Sequence, residues 1–267
     1  KSTKEDSELI AKVVSVASDE IANKVVEEVS KTSTDEKQEL SAKVLKAIVD
    51  TEPSKIETLN EEIKDKVIEQ AIEAAQNQQS LSTDQSNIAE EEDLTKTVAE
   101  IVSKADLDTS TKMIEAIDKI ETDSNSKLSL NVINELSKED NFETKIELIT
   151  ATSTSANNSV KNIFDKALNS ANDDEDLEIM KNIVENSKGS ISDLVIDAGN
   201  SSNTNKDKVS NIIVDIVKKD PEKALNIIEK NKSTESVSEV IKNKIENQEA
   251  ITSEDFDEVF DVNVSPN

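Results

Sequence analysis

A pair of large apolar residues recurs along this chain at a nearly constant interval. In the second half of the chain each pair follows a polar residue, and successive pairs lie 31, 31 and 33 residues apart, at Val132-Ile133, Ile163-Phe164, Leu194-Val195 and Ile227-Ile228. A second apolar cluster follows each pair. Repeats of about this length with two apolar clusters are typical of helical-hairpin arrays, in which each hairpin packs on its neighbours.

The first half carries the same unit with alanine in the first position. The three alanines are Ala11, Ala42 and Ala99, and apolar residues follow each alanine by two, three and fourteen positions. Within the clusters the apolar residues recur at three- and four-residue intervals, which is the stripe of an amphipathic helix. The chain has only 2 glycines and 3 prolines to interrupt such helices.

These patterns predict an all-α protein. More specifically, they predict a right-handed α-solenoid of about seven short helical hairpins with a period of about 31–33 residues, followed by a short extended C-terminal tail. Residues 56–75 are predicted to form one longer helix, and Asp108 and Asn141 are predicted to cap helices. Phe164 is expected in the core, whereas Ser159, five residues earlier, is expected to be exposed.

The repeat pattern predicts four segments. Residues 1–76 form an N-terminal helical repeat block, residues 77–92 a polar linker or inserted loop, residues 93–250 a C-terminal repeat block, and residues 251–267 an extended acidic tail or cap. The polar segment can serve as a flexible linker or as an ordered loop on one face. The tail can cover the last hairpin or add a strand to another domain or copy.

Composition excludes most kinds of enzyme. The chain has no cysteine and no histidine, so it offers no thiol nucleophile, imidazole base or Cys/His metal site. Two glycines are too few for a phosphate-binding loop, and tryptophan and tyrosine are absent. We therefore expect a protein that is not an enzyme, with no catalytic or cofactor-binding residues.

The balance of charge is strongly acidic. The 31 basic residues, all lysine, stand against 58 acidic ones, which gives a formal net charge of −27. Nucleic acids and anionic lipids require basic surfaces, so neither is an expected partner. The apolar runs are far shorter than the ~20 residues of a transmembrane helix, so no transmembrane segment is expected. The first residue is not methionine, which we interpret as a processed product or a piece of a longer protein.

Two acidic clusters are weak candidates for Ca²⁺ binding. They contain Asp106 and Asp108, and Asp173, Asp174 and Asp176. Neither cluster has the glycine and the glutamate that complete an EF-hand loop. The alternative is that these acids interact favourably with the positive ends of helix dipoles. The expected cofactor is therefore none, with weak Ca²⁺ binding as the exception.

The hairpins also resemble a known group of proteins. The Val/Ile/Lys/Glu-rich repeats, the complete use of lysine over arginine and the acidic tail that ends at residues 263–267 resemble repeat regions of large surface proteins of AT-rich marine bacteria, often recognised by an N-terminal FecR-type domain. The resemblance implies an exported, envelope-associated structural role without catalytic residues.

Two functional hypotheses follow. The first is a structural repeat protein of the bacterial cell envelope or exterior, such as a spacer, sheath, lattice or filament component, whose partners are other copies of itself or other domains of a larger polypeptide. It predicts a location outside the cell or at its surface, with the periplasm as the alternative. The second is an acidic α-solenoid adaptor that binds a protein partner in the periplasm or cytoplasm.

Overall fold

A computed structural model describes residues 2–32, 38–82, 93–120, 127–169, 174–187, 190–199 and 202–220, together with 244, 247, 250–252 and 255. These residues form thirteen helices and no strand, which confirms the all-α prediction. The helices are α1 (Ser2–Val16), α2 (Asp19–Thr32), α3 (Gln38–Thr51), α4 (Ser54–Glu57), α5 (Glu61–Ser82), α6 (Leu94–Lys104), α7 (Leu107–Ile120), α8 (Leu128–Leu136), α9 (Phe142–Thr152), α10 (Thr154–Asn169), α11 (Asp174–Asn186), α12 (Ser190–Gly199) and α13 (Asn203–Lys219).

Helix α6 shows how the sequence defines an element. Asp93 caps its N-terminus, since the carboxylate accepts hydrogen bonds from the backbone amides of Thr95 and Lys96. Leu94, Val98, Ile101 and Val102 are buried and form one stripe, in which neighbours are three or four residues apart along the helix. The helix ends where Ala105 adopts an extended conformation.

The predicted caps are wrong in detail. Asp106, not Asp108, caps α7, because its carboxylate accepts hydrogen bonds from the backbone amide and the hydroxyl of Thr109 at 2.9 and 2.6 Å. Asp108 lies within α7. Asn141 precedes α9 but its side chain makes no capping hydrogen bond.

The single long helix predicted over residues 56–75 is also wrong. The chain breaks between α4 and α5, where Leu59 turns into the core. Asn23 of α2 holds this break, because its side chain donates to the carbonyl of Thr58 at 3.0 Å and accepts from the amide of Asn60 at 2.5 Å. The apolar period continues across the break, so the periodicity concealed it.

The chain divides into two compact units. The first comprises residues 1–141 and 148–159. In it α1 packs on α3, α3 on α6 and α6 on α8, while α2 packs on α5 and α5 on α7. The successive pairs α1–α2, α3–α5 and α6–α7 are also in contact. In successive hairpins, therefore, the first helix packs on the first helix of the next hairpin, and the second helix packs on the second.

The second unit comprises residues 142–147 and 160–267. In it α11, α12 and α13 pack on one another. Phe164 of α10 is fully buried, as predicted. The expectation that Ser159 is exposed is wrong: Ser159 is buried, because it lies one turn before Ile163 on the buried face of α10.

The predicted linker is helical at its start. Residues 77–82 continue α5, whereas the rest of the predicted segment, 83–92, lies outside the described residues. Helix α3 contacts both α5 and α6, so the helices before and after residues 83–92 belong to the same unit. The predicted C-terminal tail lies outside the described residues except at 251, 252 and 255, where Asp255 accepts the backbone amide of Thr252 at 2.8 Å.

Candidate functional site

The most deeply placed charge among the described residues lies between α5 and α7. The side chain of Lys64 is only 3% exposed, and its ammonium contacts Glu61 at 2.9 Å and Asp108 at 2.8 Å. Lys112 of α7 pairs with the same Glu61 and with Asp65 at 3.0 Å. We call these five residues the α5–α7 charge cluster.

The contacts within the cluster shift the pKa values of Lys64, Lys112 and Glu61 in the direction that favours the charged form. Burial works to lower the pKa of Lys64, but the hydrogen bonds to Asp108 and Glu61 outweigh it and raise that pKa. Burial also works to lower the pKa of Lys112, but its contacts with Glu61, Asp65 and Asp108 outweigh burial and raise that pKa. Hydrogen bonds from Lys112 and Lys64 lower the pKa of Glu61 to about 2. A lysine that acts as a base or nucleophile needs a lowered pKa, so this geometry suits an interhelical clamp.

A second ring of alternating charges joins α3 to α6. Lys46 contacts Asp50 and Glu100 at 2.9 Å each, and Lys104 contacts Asp50. Burial works against the charge of Lys46, yet its two carboxylate partners raise its pKa. The pKa of Asp50 is lowered, because hydrogen bonds from Lys104 and Lys46 outweigh the effect of burial. We call these four residues the α3–α6 charge cluster. It resembles the first cluster, but it lies in the series of helices α1, α3, α6 and α8 instead of the series α2, α5 and α7.

Serine and asparagine side chains make similar contacts between hairpins. Ser103 of α6 donates to the side-chain oxygen of Asn141 at 2.8 Å, and the amide of Asn141 donates back to the Ser103 carbonyl at 3.0 Å. Ser153 donates to Glu115 of α7 at 3.0 Å. The side chain that sequence reasoning assigned as a cap, Asn141, therefore links one hairpin to the next.

The second unit has polar links of its own. Lys181 with Asp215 and Glu185 with Lys219 join α11 to α13, at 3.4 and 3.0 Å. One further ion pair, between Lys161 and Asp197 at 2.8 Å, joins α10 to α12. Two ion pairs thus join α13 to α11, the helix two places before it in the chain.

The links share a nearly constant separation along the chain. Eight of them join residues 34 to 38 positions apart: Lys181–Asp215, Glu185–Lys219, Asn23–Thr58, Asp19–Lys55, Asn169–Asn205, Lys161–Asp197, Ser103–Asn141 and Glu115–Ser153. Two others, Ser30–Gln70 and Leu168–Lys208, join residues 40 positions apart. Links that cross residues 83–92 are longer, at 44 for Lys64–Asp108 and 54 for Asp50–Lys104. Polar contacts therefore recur with the length of one hairpin, a little above the period of 31–33 residues in the sequence.

The calcium candidates that the structure describes lie at a helix cap, in an ion pair or within a helix. Asp106 caps α7 and Asp108 pairs with Lys64. Asp174 begins α11, Asp176 is buried in that helix, and Asp173 lies outside the described residues. In the part of the chain that the structure describes, no three acidic side chains form a group able to hold a metal ion. Weak Ca²⁺ binding stays a prediction.

Sequence reasoning missed both charge clusters. Their intrahelical halves were visible as acid–lysine pairs three or four residues apart, such as Glu61 with Lys64 and Asp108 with Lys112. Such pairs occur on many exposed helix faces and contribute little there. The partner on the next hairpin distinguishes these pairs, and the sequence shows that partner only once the hairpin register is known.

Comparison with family models, with curated proteins and with solved structures finds no match to this chain. Across the described ranges, none of the helices combines the length and the apolar character that a membrane crossing requires. The functional conclusion therefore depends on the hairpin contacts themselves.

Proposed function

We propose that this protein is a non-catalytic structural component of the bacterial cell envelope or exterior, such as a spacer, sheath, lattice or filament element. It is built as a right-handed α-solenoid of about seven stacked helical hairpins. The observation that carries this proposal is the recurrence of polar links between hairpins at separations of 34 to 38 residues. Such links serve to hold successive hairpins in register.

The packing of the first unit supports the solenoid. Helices α1, α3, α6 and α8 contact one another in that order, and α2, α5 and α7 do the same. Contacts between equivalent helices of neighbouring repeats are the defining feature of helical solenoids. Buried aliphatic residues lie between these helices, and the charge clusters join the same pairs of hairpins.

The chemistry of the lysines supports a structural role. Lys46, Lys64, Lys112 and Lys181 each pair with carboxylates, and the pKa of each is raised because the pairing outweighs burial. These ammonium groups remain protonated at neutral pH and act as fixed cations between helices. Their common role is to bridge hairpins, which suits a protein that bears load or sets a distance.

The location is supported by the likeness of the repeats to those of large bacterial surface proteins and by the excess negative charge of −27. Brief proteolysis of intact cells tests it. Loss of the protein from intact cells, with a cytoplasmic marker untouched, is the expected result. Protection until the cells are broken open contradicts a surface location.

Electron microscopy of the concentrated full chain tests the function. Ordered assemblies that dissolve on dilution are expected, because a structural repeat protein presents complementary surfaces for stacking. Dispersed single particles at every concentration contradict the proposal. That outcome favours the second hypothesis, an acidic solenoid adaptor for a basic protein partner.

A further inference from the structure

The first hairpin exposes apolar residues that the rest of the described chain buries. Of the five large hydrophobic side chains that are exposed in the described residues, four lie in α1 and α2: Leu9, Val13, Val16 and Ile21. The first three recur at intervals of four and three residues, so they form one stripe along α1. We call this stripe of Leu9, Val13 and Val16 the α1 face.

The residues that correspond to Val13 in two later repeats are buried. Counting two residues from the alanine of each unit, Val13 corresponds to Val44 of α3 and Ile101 of α6. Val13 is 42% exposed, whereas Val44 is 1% and Ile101 0% exposed. Helix α1 contacts α3, and α3 contacts α6. Val13, at the centre of the α1 face, is thus exposed at a position where the corresponding residues of α3 and α6 are buried.

The α1 face points away from α3. Ala11 and Val14 of α1 are buried, and Val13 lies ~160° around the helix from Ala11 at 3.6 residues per turn. Glu8 and Lys12 border the groove between α1 and α3, together with Lys43 and Asp50. The stripe is therefore free to pack on another helix without displacing α3.

We propose that the α1 face is the contact between two copies of this chain, with α1 packed antiparallel on α1 of the second copy. The inference rests on the proposed structural function and names the surface through which copies associate. A two-fold contact uses the same patch on both copies, so a patch of this kind needs no other complementary surface. An aliphatic stripe is the surface that a second aliphatic stripe covers, as α1 and α3 do within one copy.

The charges beside the α1 face favour the antiparallel arrangement. Glu8 and Lys12 are both exposed and lie one turn apart on the same flank of α1. In an antiparallel helix pair the same flanks meet, as in antiparallel coiled coils. Glu8 then faces Lys12 of the second copy, and Lys12 faces Glu8, while Leu9 packs on Val13. Two reciprocal ion pairs and two reciprocal apolar contacts result.

Engineered cysteines test the contact directly, because the chain has no cysteine of its own. The Leu9→Cys and Val13→Cys variants are prepared separately, mixed and oxidised. The mixture should form several-fold more disulfide-linked dimer than either variant alone, since Leu9 faces Val13 across the two-fold axis. The matched control is Leu148→Cys, whose native side chain is 49% exposed on α9. Cross-linking no greater than in that control overturns the proposal.

A charge placed on the stripe gives a second measurement. Val13→Glu should weaken self-association at least ~10-fold in sedimentation equilibrium, because a carboxylate is buried without a partner. Leu148→Glu adds the same charge outside the α1 face and should leave association unchanged. Circular dichroism of both variants verifies that the helices are intact. Equal effects of the two substitutions overturn the proposal.

The two proposals fail in different ways. Assemblies in electron microscopy without cross-links through α1 mean that copies associate through another surface, so only this inference is wrong. Cross-linked dimers without larger assemblies support the α1 contact and contradict the structural function. Single particles without cross-links contradict both.

Discussion

Lys64 of α5 donates a hydrogen bond to Asp108 of α7 across 2.8 Å, from a side chain that is almost completely buried. The two residues are 44 positions apart and lie on helices of neighbouring hairpins. The carboxylate is more than half exposed, so the pair has one end in the core and one at the surface. A buried lysine is stable only with such partners, so the position of α7 on α5 and the charge of Lys64 depend on each other.

Replacing this lysine should therefore destabilise the fold. Lys64→Ala removes two charge-assisted hydrogen bonds and the apolar stem that packs in the core, and should lower the free energy of unfolding by about 2 kcal/mol. Urea denaturation followed by circular dichroism measures the change. Lys24→Ala, which breaks an exposed pair with Glu20, is the control and should cost at most about 0.5 kcal/mol. Equal effects mean that the cluster contributes no more than a surface ion pair.

Asn23 should be important although it is polar and partly exposed. Its side chain bonds to Thr58 and Asn60 at the break between α4 and α5, so Asn23→Ala should lower the free energy of unfolding by about 1–2 kcal/mol. The control is Asn158→Ala, at an exposed position of α10. A chemical denaturation series on both variants decides. If Asn23→Ala is as stable as the control, the break between the two helices is set by Leu59 alone.

Phe164 tests the core of the second unit. It is fully buried, so Phe164→Ala should cost about 3–5 kcal/mol, through lost burial and the cavity that remains. Leu148→Ala removes an apolar side chain that is half exposed and should cost less than about 1 kcal/mol. Thermal melts of the two variants compare them. Similar melting temperatures would place Phe164 outside the core.

Acid should loosen the α5–α7 charge cluster. The pKa of Glu61 falls from 4.5 to about 2 in the folded protein because Lys112 and Lys64 donate to it. A carboxyl with a depressed folded pKa stabilises the fold above pH 4.5, and this contribution is lost as the pH falls toward 2. A lysine whose pKa is raised in the folded protein, such as Lys112, contributes fully to stability at every pH below the ordinary lysine pKa of 10.5. The cluster's contribution to stability should therefore be constant between pH 4.5 and pH 10.5 and should decrease below pH 4.5.

The predicted loss of stability at low pH can be tested with a matched control. Denaturation at a series of pH values should show a shallower loss of stability for Glu61→Gln than for the native chain, because the glutamine cannot take up a proton. Glu20→Gln makes the same change of charge at an exposed position and should keep the native slope. An unchanged slope in Glu61→Gln assigns the acid sensitivity to other carboxylates.

The sequence was sufficient to predict the helical class and the positions of many core residues. Phe164 was placed in the core because apolar residues recur at helical spacing, and that spacing reflects burial directly. The same periodicity hid the break at Leu59, since an apolar residue that turns into the core keeps the pattern intact. The expectation that Ser159 is exposed followed from its polarity and overlooked this spacing, since Ser159 lies one turn before the buried Ile163.

The candidate site was beyond sequence reasoning for a different reason. In its local sequence Lys64 resembles many other lysines of the chain. It differs from them in that its buried ammonium pairs with Asp108 of the next hairpin. That pairing depends on the register between α5 and α7 across residues 83–92, and a tertiary register is not encoded in local spacing. Local spacing likewise did not show that the fold places Asp106 at a helix cap and Asp108 in an ion pair.

The central claim is that copies of this protein assemble with one another, and light scattering of the full chain over a range of concentrations tests it most directly. We predict that the mean mass rises above the 29.3 kDa of one chain as the concentration increases. Added salt should strengthen the rise, because it screens the repulsion between copies that each carry −27 charges. A mass of 29.3 kDa at every concentration and ionic strength would contradict the account.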